Sequence, residues 1–391
     1  MFRKVCYAQQ LAAKNSGNIN LFHQAIRSYT DYLEQDPQNY GGYHNRSELY
    51  HQFGYYDKAM KDLETSLSIK PNFSHSLLSK SLILLRNGNY KEGWELFEQR
   101  RNVFPEITPS SLRNMPYWKG ETFGGSGKLL IFTEQGFGDA IHFARYIPMI
   151  VERYKNVDHI VLQCDAVLVE LFKASYPNIH IIDQHQKVEN VSYIFSLMSA
   201  PALFETIPNN IPFFNHYLTA PLENKRKWQS YFQNHFKDKV KVGICWTSSR
   251  ENIPHHRNLQ LNDISHLFNK NAEFFCLQPV IPEYEQGLFS QFENLHHFPL
   301  NSFADTAGLI EQMDLVITVD TSAAHLAGAL GKKTWLLLGY HADFRWLLNR
   351  DDSIWYSSMK LFRQTKFGDW SDVFNNLSLE LNEFCCVQSN R

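Results

Sequence analysis

Two short apolar runs, Leu315–Val319 (LVITV) and Thr334–Leu338 (TWLLL), flank the segment Asp320–Lys333. Each is apolar almost throughout, as a strand buried on both faces must be, and too short for a helix of its own. Between them, Asp320-Thr321-Ser322 supplies helix-start residues, Ala323–Leu330 is rich in alanine and strongly helix-forming, and Gly331 is a stop signal. Strand, helix and strand predict a βαβ unit, whose crossover is right-handed in nearly all cases. A parallel pair cannot stand alone. It needs further strands beside it and helices on both faces, so this stretch commits the C-terminal part of the chain to an α/β architecture.

The same unit sets a helix N-terminus at the carboxyl edge of a parallel sheet, where α/β folds bind ligands. Free N–H groups and the positive dipole end at Ser322–His325 suit an anion, phosphate above all. The plainer reading is that Thr321 or Ser322 caps the helix and His325 packs against a loop. Further strands of this sheet are expected at Val240–Trp246, Ala272–Leu277 and Leu295–Phe298, with helices near Asn262–Phe268 and Ala304–Met313. The polar loop Thr247–Asn258 carries Arg250, His255, His256 and Arg257. The two histidines lack a third ligand at metal spacing and read as loop, whereas the Arg257 guanidinium suits bidentate contact with a phosphate.

A second, separate parallel sheet is expected upstream. Lys128–Thr133 reads as a buried strand, followed by the loop Glu134–Gly138 and a helix from Asp139 to Arg153; more strands fall at His159–Gln163, Ile179–Ile182 and Tyr193–Phe195. Gly136 and Gly138 permit a tight strand-to-helix turn and the close approach of a ligand. The helix places Ile141, Ala144 and Ile147 on its apolar side and leaves His142 and Arg145 nearer the loop face. Asp139 has two compatible roles, a helix-start carboxylate and a base facing a cleft. Glu223–Lys239 reads as a helix plus the crossing between the two sheets.

The first hundred residues repeat with a period of 34: Pro37 and Pro71, Gly54 and Gly88, Tyr56 and Tyr90, and Leu63 and Phe97 are all that far apart, with small residues at Ala25, Ala59 and Gly93. This pattern resembles the tetratricopeptide repeat, a helix pair that buries its apolar face only by stacking on its neighbours. About three units fill residues 1–104. Residues 105–127, rich in Pro, Ser and Gly, read as a linker that Tyr117 and Trp118 dock against a neighbour. Two functions fit such an array, a groove for a peptide or protein, or a structural cap.

Composition removes several classes. A net charge of −2 offers no electrostatic case for nucleic acid or an anionic membrane, and no apolar run reaches the roughly 18–20 residues that span a bilayer. The N-terminus lacks the apolar core of a signal peptide, and the six cysteines show neither metal spacing nor a disulfide framework. A reduced, cytoplasmic chain is expected.

Taken together, DTSAAHLAGALGK (Asp320–Lys332) and EQGFGDAIHFARYIP (Glu134–Pro148) resemble the heptosyltransferase-type glycosyltransferases of family 9, which have the GT-B fold. With the repeats in front, the chain is similar to bacterial tetratricopeptide-repeat glycosyltransferases, including flagellin-modifying ones. Asp343–Gln364 and Gly368-Asp369-Trp370 are typical of that repeat-bearing group. The resemblance implies a repeat array (1–104), a linker (105–127), an acceptor-side Rossmann-like domain (128–238), a nucleotide-sugar-binding Rossmann-like domain (239–375) and a C-terminal tail or helix (376–391). It implies that Asp320, Thr321, Ser322 and His325 hold the donor diphosphate and that Asp139 is the base. Gln135, Gly136, Gly138 and Arg345 would lie on donor or acceptor loops. Ser322 stands where heptosyltransferases carry glycine. The lysine those enzymes place after the first strand of the donor domain has no clear equivalent here, and Arg257 is the substitute. The implied activity is transfer from a nucleotide sugar to an acceptor hydroxyl, inverting and without a metal or other cofactor, on a protein recruited by the repeats. The alternatives are a scaffold with a retired transferase region and a transferase acting on a glycan or lipid-linked acceptor.

Overall fold

The structure, a computed structural model, describes residues 6–7, 9–12, 18–122, 127–248, 257–268 and 271–389. Arg250, His255 and His256 lie outside the described residues. Helices Ile19–Gln35, Tyr40–Gln52, Tyr56–Ile69, Ser74–Arg86 and Tyr90–Phe97 follow one another in the N-terminal part. The small residues of the 34-residue period sit where helices touch, with Ala25, Ala59 and Gly93 all buried. Gly54 and Gly88, one period apart, both have φ of 81°, a left-handed turn between paired helices that glycine adopts without strain.

Strands β1 (Lys128–Phe132), β2 (Ile160–Cys164), β3 (His180–Asp183) and β4 (Val191–Ser196) form one sheet in the order β3-β2-β1-β4. Strands β5 (Lys241–Cys245), β6 (Glu273–Cys276), β7 (Leu295–His297), β8 (Leu315–Val319), β9 (Thr334–Leu338) and β10 (Met359–Arg363) form the other, in the order β10-β9-β8-β5-β6-β7. The strand pairs in both are parallel. Strand order reverses between β1 and β4 in the first sheet and between β5 and β8 in the second. Such switch points open a crevice at the carboxyl ends of the strands.

The segment expected as one helix from Asp139 to Arg153 is broken into Phe137–Phe143, a 3-10 turn at Ala144–Tyr146 and Ile147–Tyr154. Pro148 lies in the first turn of the last piece, where a missing N–H costs nothing; inside a continuous helix its ring would strike the carbonyl four residues back. The break also changes the faces of the segment. His142 and Arg145 are wholly buried rather than turned to the loop side. Strand β10 does not emerge from the sequence because Lys360 and Arg363 interrupt its apolar pattern at the sheet edge. The closing helix Ser371–Ser389 lays Val373, Leu377, Leu381 and Phe384 on the core of the second sheet.

The array does not stand in front of the α/β region as a separate block. One continuous core runs from Leu85, Tyr90, Trp94 and Phe97 through the first sheet to Leu326, Trp346 and Trp355. Trp94 meets the edges of Phe143, Phe344 and Trp355 at ring distances of 6.2, 5.6 and 6.3 Å, so a single repeat residue touches both α/β regions. Trp118 docks the linker, packing on Tyr154 and Phe195 and donating its backbone N–H to the Ile194 carbonyl.

Candidate active site

The switch points of the two sheets open on one cavity of about 540 Å³. Three regions of the chain wall it. The second sheet contributes Ser248, Arg257, Asp320, Thr321, Ser322, His325, Asp343, Phe344 and Arg345; the first contributes Gln135–Asp139 and Met198; the array contributes Leu78, Leu82, Phe97, Arg100 and Phe104. Every residue singled out from the sequence as a site candidate lines this cavity.

The two short helices that start here, Phe137–Phe143 and Ser322–Ala329, pack against each other across the two sheets. Gly138 makes that approach feasible. A Cβ on it would stand 2.9 Å from His325 Cδ2, so the missing side chain makes room for the histidine, not for a ligand. Gly136 has an ordinary extended backbone, φ −99° and ψ 165°. The left-handed residue of the turn is Gln135 at φ 65°, a conformation that costs a non-glycine residue roughly 1–2 kcal/mol.

Helix Ser322–Ala329 begins without a side-chain cap. The Thr321 hydroxyl turns away from it, lying 3.3 Å from the Thr318 hydroxyl and 3.6 Å from Cys245 Sγ. The N–H groups of Ala324 and His325 reach the Thr321 carbonyl. Those of Ser322 and Ala323 precede them in the first turn, where Ser322 lines the cavity, with the positive end of the helix behind them.

Asp139 is tied at both carboxylate oxygens. Its Oδ2 accepts the Gly136 N–H at 3.1 Å, a capping contact, and its Oδ1 accepts Arg345 Nη2 at 2.5 Å. Arg345 also donates from Nη1 to Asp343 Oδ1 at 2.9 Å, while its buried Nε has no partner among the described residues. Burial works against the charge on Arg345, but Asp343, Asp139 and Asp320 outweigh it and raise its pKa. Burial pushes Asp343 up; the Arg345 guanidinium and backbone N–H overcome that, and its pKa is lowered. The loop is fixed from behind. Arg363 donates to the Trp346 carbonyl, and Leu347 sits at φ 50°, ψ −165°, a region nearly reserved for glycine.

Arg257 lies 2.8 Å from Asp320 Oδ2 and donates from the same nitrogen to the Asp320 carbonyl at 2.9 Å. The carboxylate raises the pKa of Arg257, and burial raises that of Asp320 against the pull of Arg257.

His325 Nε2 faces Asp320 Oδ1 at 3.9 Å. Burial, helped by Arg345, holds His325 well below the usual histidine range, so the ring is neutral at pH 7 and acts as a dipole, not a cation. Behind it, the Tyr356 hydroxyl lies 2.9 Å from Nδ1 of His325 and 2.9 Å from Nδ1 of His142. One hydroxyl proton cannot serve both rings. A bare Nε2 lone pair facing Asp320 would be repelled, so Nε2 of His325 carries the proton and Nδ1 accepts from Tyr356; Tyr356 in turn accepts from His142 Nδ1–H. The relay runs from one α/β region to the other and aims an N–H into the cavity.

Sequence reading did not find Asp343, Tyr356, His142 or the repeat residues of the wall. Asp343-x-Arg345 carries one local signal, since the Asp343 carboxylate accepts the Arg345 backbone N–H as a cap. The others are brought in only by tertiary packing.

The tetratricopeptide repeat family matches residues 40–73, which hold the helix pair Tyr40–Gln52 and Tyr56–Ile69. Protein FlbA of Caulobacter vibrioides is 24% identical over 401 residues, spanning 94% of this chain; the chain spans 64% of the length of that relative. Two solved structures share a general likeness of chain path. A family 9 glycosyl transferase from Veillonella parvula and the E. coli ADP-heptose lps heptosyltransferase II are 10% and 13% identical, each with 68% of this chain covered, all of theirs, and a TM-score of 0.48. In the described residues, no helix is long and apolar enough to cross a membrane.

Proposed function

We propose that this chain is a glycosyltransferase that moves a sugar from a nucleotide-sugar donor to a hydroxyl on a protein. The observation that carries the reading is the meeting, in one cavity, of an uncapped helix start, two guanidiniums and a carboxylate from the opposite sheet. The motif resemblance of Glu134–Pro148 and Asp320–Lys332 agrees with it. The donor diphosphate sits at Ser322 and Ala323, with Arg257 and Arg345 beside it and the His325 Nε2–H as a neutral donor. As the bond from the anomeric carbon to the diphosphate oxygen breaks, the electron pair leaves with the diphosphate, and these groups stabilise the charge. Asp139 takes the proton of the acceptor hydroxyl, whose oxygen forms the new bond from the opposite face with inversion. Helix dipole and guanidiniums supply the countercharge, so the reaction needs no metal.

The acceptor half of the cavity is apolar. Leu78 and Leu82, one helical turn apart, line it with Phe97 and Phe104 from the array, beside the ion-paired Arg100, and Phe137 and Met198 line it from the first α/β region. Such a wall suits apolar side chains flanking the accepting hydroxyl of a peptide better than a sugar dense in hydroxyls.

The test is a thermal-shift screen of ADP, UDP, GDP and CMP, with and without a chelator. A ligand at 100 times its Kd raises stability by about 2.7 kcal/mol, a readable shift. No shift with any nucleotide sinks the donor site, and a shift lost on chelation sinks the metal-free mechanism. A second reading, a scaffold whose transferase region is retired, is favoured by the two partners already on Asp139. Nucleotide binding without transfer to any protein would support it.

A further inference from the structure

We propose that the Asp139–Arg345 ion pair is a latch released by the donor: an incoming diphosphate draws the Arg345 guanidinium off Asp139, and only then is the carboxylate free to accept the acceptor's proton. The inference rests on the transferase reading above and adds an order of events to it.

Both oxygens of Asp139 are engaged. Oδ2 holds the Gly136 N–H and Oδ1 is ion-paired with Arg345 Nη2, which stabilises the carboxylate and weakens it as a base for the acceptor hydroxyl. The Gly136 contact belongs to the helix start and stays with the fold. The Arg345 contact joins two different α/β regions across residues 206 apart in the chain, and it is the one a ligand can reach.

The guanidinium is already arranged for exchange. Its Nη1 is committed to Asp343, two residues back on the same loop. Its other coplanar edge consists of Nε and Nη2; Nε has no partner among the described residues, and Nη2 is on Asp139. A phosphate takes an arginine edge bidentately. A phosphate on the Nε–Nη2 edge would satisfy the orphan Nε and compete with Asp139 for the charge at Nη2. Arg345 shares the cavity with Ser322, His325 and Arg257, so the proposed diphosphate seat is beside that edge.

Charge makes the exchange a competition. Asp139, Asp320 and Asp343 share the guanidiniums of Arg257 and Arg345, three carboxylates on two cations, so a diphosphate has to take a guanidinium from a carboxylate that already holds it. The loop itself is held by Arg363 at the Trp346 carbonyl, so the side chain moves and the backbone stays. Donor therefore binds first, and a protein acceptor that arrives early finds the base occupied.

Removing the competing carboxylate gives the discriminating test. Inorganic pyrophosphate, ADP, UDP and GDP are titrated by calorimetry into the full chain and its variants. Asp139→Asn keeps an oxygen for the Gly136 N–H but cannot hold the guanidinium as an ion pair. It is expected to bind the diphosphate roughly tenfold more tightly than the parent, the loss of one charge-assisted competitor. Arg345→Lys, which lacks the fork, is expected to bind about tenfold more weakly. If Asp139→Asn is unstable, Asp139→Ser keeps a capping hydroxyl and carries the same expectation. Equal or weaker binding by the folded Asp139 variants, with the parent binding normally, overturns the latch and leaves the donor site standing. No diphosphate binding by any of the proteins overturns both.

Discussion

Arg100 and Glu134 form an ion pair of 2.7 Å in which neither side chain is exposed beyond 1%, and it fastens the last repeat to the carboxyl end of β1. Arg100 Nη2 also reaches the hydroxyl of Ser199 at 2.8 Å, and Ser196 donates to Glu134, so the pair is further tied to the carboxyl end of β4 and the turn that follows it. Removing Arg100 strands the buried Glu134 carboxylate, whereas removing Glu134 would leave Arg100 paired with Glu98 at 2.6 Å.

Arg100→Ala is therefore expected to destabilise the chain by roughly 3–5 kcal/mol, read as a lower midpoint in chemical denaturation. For the same reason, a chain beginning after residue 104 loses Trp94, Phe97 and Arg100 from its core and is expected to show no cooperative melt. A truncated protein that melts sharply at the parent temperature would show that the repeats are a detachable module after all.

This joint marks the limit of what the sequence reveals. Leu315–Val319 and Thr334–Leu338 are readable to the residue because each is an uninterrupted apolar run between breakers, and the helix between them is announced by Thr321-Ser322 and closed by Gly331. The 34-residue period is equally plain, since identical turns at Gly54 and Gly88 recur in the chain itself. Pairings across the cavity leave no such trace. Asp139 and Arg345 are 206 residues apart, His142 and Tyr356 are 214 apart, and neither partner's neighbours encode the other. His142 even reads as a loop-side residue, because the Pro148 break that rotates its helix is a consequence of ring sterics that apolar spacing does not display.

The His142–Tyr356–His325 relay fixes a pH response. Both rings are buried, which lowers their pKa values well below the 6.5 they have in the unfolded chain. Above 6.5 neither state binds the proton and the pair adds nothing to the pH dependence. Below it the unfolded chain takes up protons that the native one refuses, so stability falls as pH falls. The expected slope for each histidine grows from about 0.7 kcal/mol per pH unit at pH 6.5 toward about 1.4 near pH 5, before carboxylates begin to titrate. His142→Leu should remove about half of it. Urea midpoints collected across this window check the slope, and a flat profile would mean that water reaches the rings.

At the helix start, charge can be reversed without disturbing the fold. Ser322→Asp places a carboxylate in the first turn, where the macrodipole stabilises it, so the melting temperature should hold or rise slightly. The same carboxylate would occupy the proposed diphosphate seat and repel it. Nucleoside diphosphate affinity is expected to drop by about 100-fold, in line with roughly 3 kcal/mol for a lost anion site facing a like charge. Calorimetry on a variant with unchanged thermal stability would separate the two effects, and retained affinity would move the phosphates away from Ser322.

The apolar wall supplies the last prediction. Leu78 and Leu82 lie on one face of helix Ser74–Arg86, half-buried, and line the cavity with Phe104, which is 45% exposed. Their side chains carry no group that could hold a phosphate, so their contribution should fall on the acceptor. Replacing Leu78 with Asn and Phe104 with Ser removes apolar surface without adding charge, and each change should raise the KM for a protein acceptor about tenfold, the usual cost of a weakened hydrophobic pocket. The kcat at saturating acceptor, the nucleotide affinity and the slow hydrolysis of donor in the absence of acceptor should all stay near the parent values, because Asp139 and the helix start are untouched. A fall in kcat with KM unchanged would show that the wall orients the reacting hydroxyl instead of gripping the peptide. If both parameters hold for both variants, the acceptor approaches from another side, and the array's place beside the cavity is structural.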